Sequence, residues 1–94
     1  MSVTNEQSAA LMKHEWYDLG FPYTEDRVFI KRISDINGTR TQANIKACLN
    51  PQTLKIHFEP CYKKTYTPSD VEGMIAGAFE FMRLVRELRI RGEA

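Results

Sequence analysis

Residues 27 to 50 read RVFIKRISDINGTRTQANIKACLN, and the dipeptide Asn37-Gly38 in their middle decides what they form. Asparagine followed by glycine readily supplies two positive φ values, so the stretch predicts a tight hairpin between RVFIKRIS and TRTQANIKACLN. The second arm alternates, with Ala43, Ile45, Ala47 and Leu49 on one face and Arg40, Gln42, Asn44 and Lys46 on the other. A further turn, Asn50-Pro51-Gln52-Thr53, leads into a third strand where Leu54, Ile56 and Phe58 oppose Lys55, His57 and Glu59. If the hairpin closes by pairing Ile36 with Thr39, Ile30 faces Ile45 and Val28 faces Ala47 on the core side. That parity sends Phe29 and Ile33 to the opposite face, beside Lys31, Gln42, Lys46 and His57. A covering segment, or a bulge near Asp35 that resets the parity, would return them to a core. Left uncovered, they would make an aromatic and basic contact surface.

Helices flank these strands. Thr4 followed three residues later by Gln7 reads as a capping box. Ala9, Met12, Trp16 and Leu19 then recur at helical spacing until Gly20 and Pro22, which predicts a helix over roughly residues 5 to 19. At the other end, Thr67 fits an N-cap, Pro68 the first helical position and Asp70 the third, with Ser69 and Glu72 as a competing cap two residues on. Capping from Ser69 would leave Pro68 in an exposed loop, as a recognition point for a proline-binding partner or a prolyl isomerase. Strong helix formers follow to near Arg91. Val71, Met74, Ile75, Ala78, Phe79, Phe81, Met82, Leu84, Val85 and Leu88 spread over an arc of about 220°, whereas a helix lying on one sheet needs about 100°. The surplus must meet the first helix, a second copy or a foreign partner. Gly73 and Gly77, four apart, would seat Trp16 or the first helix as readily as a dimer contact. The expected fold is α+β: one αβββα domain over residues 1–94, a three-stranded antiparallel sheet with both helices on one face.

The chain has 94 residues, 43% hydrophobic and 27% charged, which suits one modest core. Thirteen basic and twelve acidic residues leave a net charge of +1, which argues against an acidic DNA mimic and requires no nucleic-acid partner. Cys48 and Cys61 form no CxxC pair, and the charged N-terminus does not resemble a signal peptide, so a reducing, cytoplasmic setting is expected. The apolar run of residues 71 to 85 is broken by Glu72, Glu80 and Arg83, too soon for the roughly 20 residues of a membrane span.

Chemistry has few candidates. The only histidines are His14 and His57. His57 has Cys61 four residues on, but spacing supplies no third ligand, so neither a metal nor a cofactor is expected. His14, Glu15 and Asp18 suit a solvated helix face. The glycines form no phosphate-cradling loop. An enzyme is the least favoured class; it would need His57, a carboxylate and Cys61 to converge in a cleft.

The order helix, three strands, helix resembles the double-stranded RNA-binding domain in topology. That family opens its last helix with lysines, whereas TPSDVEGM carries Asp70 and Glu72 there, and none of its binding residues transfers. The loop and helix KKTYTPSDVEGMIAGAFEFMRLVRELRIRGEA, residues 63–94, resemble the lambdoid phage anti-RecBCD proteins, small accessory proteins directed against host defence machinery. That resemblance implies an inhibitor or modulator of a RecBCD-type nuclease/helicase, acting in the host cytoplasm with the C-terminal helix as docking element.

The residues themselves favour a non-enzymatic protein-binding module. Its candidate contacts are Tyr62, Lys63, Lys64, Tyr66, Pro68, Phe79, Met82, Arg86 and Arg89, with Trp16 or Tyr17 and Tyr23 as further aromatic anchors. The alternatives are a nucleic-acid-binding sheet face built from Phe29, Lys31, Arg40, Lys46 and Lys55, and a homodimer sealed through the helix.

Overall fold

The computed structural model describes residues 3–22, 25–34, 40–61 and 65–91. It is an α+β fold of two helices and a four-stranded antiparallel sheet, in the order α1 (Asn5–Lys13), β1 (Tyr17–Asp18), β2 (Arg27–Ser34), β3 (Arg40–Leu49), β4 (Ile56–Cys61) and α2 (Pro68–Glu87). The strands lie side by side in chain order. The tip of the β2–β3 hairpin, with Asn37-Gly38, lies outside the described residues.

One strand more is present than the sequence predicts, because α1 stops about a turn and a half early. The expected capping box opens it: the Gln7 amide donates to Thr4 Oγ1 at 3.1 Å and the Thr4 amide to Gln7 Oε1 at 2.9 Å. Its end carries no glycine. Glu15 takes a left-handed φ of 65°, its amide donates to the Met12 carbonyl, and the Trp16 amide donates to the Leu11 carbonyl. That is a Schellman motif, with buried Leu11 and Trp16 as its hydrophobic pair. Burying the indole ends the helix and frees Tyr17 and Asp18 to pair with Ile30 and Phe29. The stripe expected through Ala9, Met12 and Leu19 is therefore exposed, and Leu11 is the buried residue of α1. α1 packs beside β1, adds Leu11 to the core that α2 covers, and is tied to the end of α2 by Gln7 Nε2 donating to the Leu88 carbonyl.

Asp18 lies on β1 rather than on a solvated helix face. Its carboxylate accepts from Arg27 Nε at 3.0 Å, the Gly20 amide at 2.8 Å and Ser8 Oγ at 3.0 Å, joining α1, the turn after β1 and β2. Arg27 is itself buried and also donates to the Val3 carbonyl. Burial alone would raise the Asp18 carboxyl, but the hydrogen bonds from Arg27, Gly20 and Ser8 outweigh it and hold it below its ordinary value.

The register of β2 on β3 corrects the hairpin parity. Phe29 faces Ala47, Arg27 faces Leu49 and Lys31 faces Ile45, and the pairing then shifts between Arg32 and Ser34. Strand faces repeat every two residues, so this one-residue difference turns Phe29 and Ile33 inward, onto the face that already holds Ala43, Ile45, Ala47 and Leu49. α2 lies across β2 and β3 and adds Phe81, Leu84 and Val85. Phe81 sits at the centre of the aromatic packing, its ring centroid 4.8 Å from Trp16 and 5.4 Å from Phe29. Gly77 faces the same core, where an added Cβ would lie 3.6 Å from Ile33 and 3.8 Å from Trp16, so it seats Trp16. β4 is the outer strand beyond β3 and carries Pro60 opposite Ile45.

α2 begins at Thr67: the Asp70 amide donates to Thr67 Oγ1 at 3.1 Å and the Thr67 amide to Asp70 Oδ2 at 3.0 Å. Pro68 is consequently its first residue, and the exposed-loop reading of Pro68, which needed capping from Ser69, does not hold. The helix ends in a second Schellman motif, with Arg89 at φ 54° and buried Ile90 donating its amide to the Val85 carbonyl.

Candidate functional site

The core takes one side of the broad apolar arc of α2 and leaves the other side bare. Phe81, Leu84 and Val85 are buried, and Met74, Ala78 and Leu88 pack partly against them. Val71, Ile75, Phe79 and Met82 remain 45%, 53%, 65% and 38% exposed. At 100° per residue these four and Arg86 fall within an arc of about 80°, a continuous stripe along the outer face. Beyond Phe79 the surface forms a shallow hollow lined by Ala76, Arg83 and Arg86. Beside Ile75 a second, apolar hollow opens between α2 and β4, lined by Phe58, Pro60, Met74 and Ala78.

Charge is distributed unevenly around the stripe. Arg83 is paired with Glu87 one turn on, at 3.0 Å. Arg86 and Arg89 are exposed, and their side chains make no ion pair among the described residues. Glu80 is turned to the other margin, where it accepts from Trp16 Nε1 at 2.8 Å and from Lys31 Nζ. Its burial opposes ionisation, but the Lys31 and Trp16 hydrogen bonds prevail and keep its carboxyl below the usual range.

Of the contact residues read from sequence, Phe79, Met82 and Arg86 come together on this stripe, and Arg89 follows just past the helix end. Pro68 is exposed at the helix start, while Tyr66 packs partly against the core. Tyr62, Lys63, Lys64 and Tyr23 lie outside the described residues. Trp16 is fully buried and offers no anchor, whereas Tyr17 is exposed. Val71 and Ile75 belong to the stripe but were not singled out, although the same helical periodicity places them there.

The nucleic-acid set is not brought together. Phe29 is fully buried and cannot stack on a base. Lys31 lies on the α2 side, engaged by Glu80 and 5.8 Å from the Trp16 ring. Lys46 is on the opposite face, 3.7 Å from Glu59, and Lys55 is exposed before β4. The side chain of Arg40 lies outside the described residues.

His57 does have acidic neighbours, on the sheet face away from α2. Its Nε2 is 3.2 Å from Glu59 Oε1 and its Nδ1 is 3.9 Å from Asp26 Oδ2. The cysteine beside it is Cys48, its direct cross-strand partner; Cys61 stands four residues further along β4, opposite Asn44. Cys48 is buried, and that burial, with Glu59 and Asp26 nearby, pushes its thiol up, the reverse of an activated nucleophile. The convergence of His57, a carboxylate and Cys61 in a cleft is not formed.

No family model matches the chain, and no curated protein or solved structure is significantly similar to it. Among the described residues no helix is long and apolar enough to cross a membrane.

Proposed function

We propose that the chain is a non-enzymatic protein-binding module that lays the outer face of α2 into an apolar groove of another protein. The stripe of Val71, Ile75, Phe79 and Met82 carries this reading. Four large apolar side chains along one helical face are the pattern of a helix that docks in a groove. Arg86 and Arg89 at its C-terminal end suit a partner whose groove is rimmed by carboxylates there. The resemblance over residues 63–94 points to a RecBCD-type nuclease/helicase as that partner, and to a phage-encoded inhibitor or modulator as the role.

The test uses purified nuclease/helicase and the full chain. Binding and reduced nuclease activity with wild type, both weakened at least tenfold by Phe79→Glu and by Arg86→Glu without a fall in Tm, support the reading. Equal binding by Phe79→Glu places the contact elsewhere, and no binding at all removes this partner. Light scattering that shows a dimer lost on Phe79→Glu assigns the stripe to a second copy instead.

A further inference from the structure

We propose that Cys48, His57 and Glu59 form a three-ligand zinc site on the sheet face opposite α2. Cys48 on β3 and His57 on β4 are direct cross-strand partners, and Glu59 lies two residues along β4, on the same face. One ligand atom from each lies within 4.8 Å of both others. His57 Nε2 and Glu59 Oε1 are 3.2 Å apart. Two ligands bound to tetrahedral zinc at about 2.0 to 2.1 Å lie about 3.3 Å apart, so this edge of the polyhedron is already set. A thiolate bound at about 2.3 Å must stand about 3.6 Å from that nitrogen, which asks only for small side-chain rotations within the observed cluster.

The surroundings match the demands of a metal centre. Ligation through Nε2 leaves Nδ1 of His57 on the side of Asp26, whose Oδ2 is 3.9 Å away and would close to a hydrogen bond that orients the imidazole from behind. Glu59 keeps its second oxygen for Lys46, 3.7 Å away, so one carboxylate serves both cations. Cys48 is buried while His57 and Glu59 are exposed, which anchors the ion on its inner side and leaves the outer side open. Three protein ligands then leave a fourth position to water or to a donor from a bound partner. A thiolate with one imidazole and one carboxylate is a donor set suited to zinc rather than to magnesium or calcium, which take oxygen ligands. Burial first, and then Glu59 and Asp26, disfavour a bare thiolate at Cys48, whereas a bound divalent cation would be attracted by the thiolate and both carboxylates.

The experiment adds zinc, and cobalt(II) as its spectroscopic substitute, to the untagged full chain after chelator treatment. One equivalent is expected to bind. Cobalt(II) should show the visible bands of tetrahedral coordination and a thiolate-to-metal charge-transfer band. Zinc should raise the Tm of wild type but not of His57→Gln. His57→Gln and Glu59→Gln should each weaken binding at least tenfold. Asp26→Asn should weaken it about tenfold through ring orientation. Cys48→Ser should abolish the charge-transfer band, and Cys61→Ser should leave all readouts unchanged. His57→Gln alters an exposed ring and keeps the test valid should the buried Cys48→Ser change unfold the domain. Absence of zinc binding, wild-type affinity in His57→Gln, or loss on Cys61→Ser overturns the proposal.

Discussion

Replacing Gly77 by alanine should stabilise the protein, although the position is buried where α2 packs on the sheet. The added Cβ would stand 3.6 Å from Ile33 Cδ1, 3.7 Å from Ile45 Cγ2 and 3.8 Å from Trp16 Cζ2, all ordinary van der Waals distances. Nothing has to move. Alanine is favoured over glycine in a helix interior by about 1 kcal/mol, and burying the methyl adds something below about 0.8 kcal/mol. The expected gain is roughly 1 to 1.5 kcal/mol, or at least about 4 °C in Tm for a domain of this size. In urea the midpoint should rise with an unchanged slope. Gly77→Leu provides the contrast, because the space beyond the Cβ is taken by the same three side chains and overpacking costs about 1 to 3 kcal/mol. A fall in Tm for Gly77→Ala would refute the argument, since it would mean that glycine is required there for closer approach than these distances imply.

Other perturbations address the polar contacts and helix ends. Asp18→Ala leaves buried Arg27 without its carboxylate and should cost about 3 to 5 kcal/mol, read from the urea midpoint; a loss under 1 kcal/mol would show that water replaces the pair. Asp18 and Glu80 both sit below their unfolded values, so the unfolded chain binds more protons in that window. Their contribution is full above about pH 5 and is lost progressively as pH falls through the unfolded and then the lower folded values. The acid-side decline of Tm should therefore be shallower in Glu80→Gln than in wild type, and an identical profile would contradict the assignment. Arg89→Gly relieves a left-handed residue and should raise stability by up to about 1 kcal/mol while weakening partner binding; a stability loss would mean that the arginine side chain itself holds the helix end.

What was legible in the sequence follows from the range of the interaction concerned. The alternation of β3 and the capping boxes at Thr4 and Thr67 depend on neighbours within a few residues, and the structure shows them as read. Glycine and proline set the expected end of α1 and the run of helix formers that of α2, but both helices close earlier, at left-handed Glu15 and Arg89, because Trp16 and Ile90 are buried after them, a tertiary cause that neither signal carries. The face of Phe29 depended on a single residue of register, fixed by core packing and by an irregularity near Ser34 that the turn sequence does not determine. The surplus arc of α2 was visible as periodicity, yet only its packing on β2 and β3 shows which part stays bare. Cys48 joins His57 solely through cross-strand pairing, so spacing along the chain pointed to Cys61 instead.

Pro60 bears on how this molecule meets copies of itself. A flat outer strand invites another chain to extend the sheet hydrogen bond by hydrogen bond, the route to fibrils. Proline has no N–H to offer such a template, so the rim of β4 is interrupted within a strand that spans only Ile56–Cys61. On the far side, the part of β2 beyond the reach of β1 carries exposed Arg32, a cation that discourages stacking of strand on strand. Crowding should therefore produce soluble clusters held by helix contacts, dispersed by mild detergent and free of cross-β order.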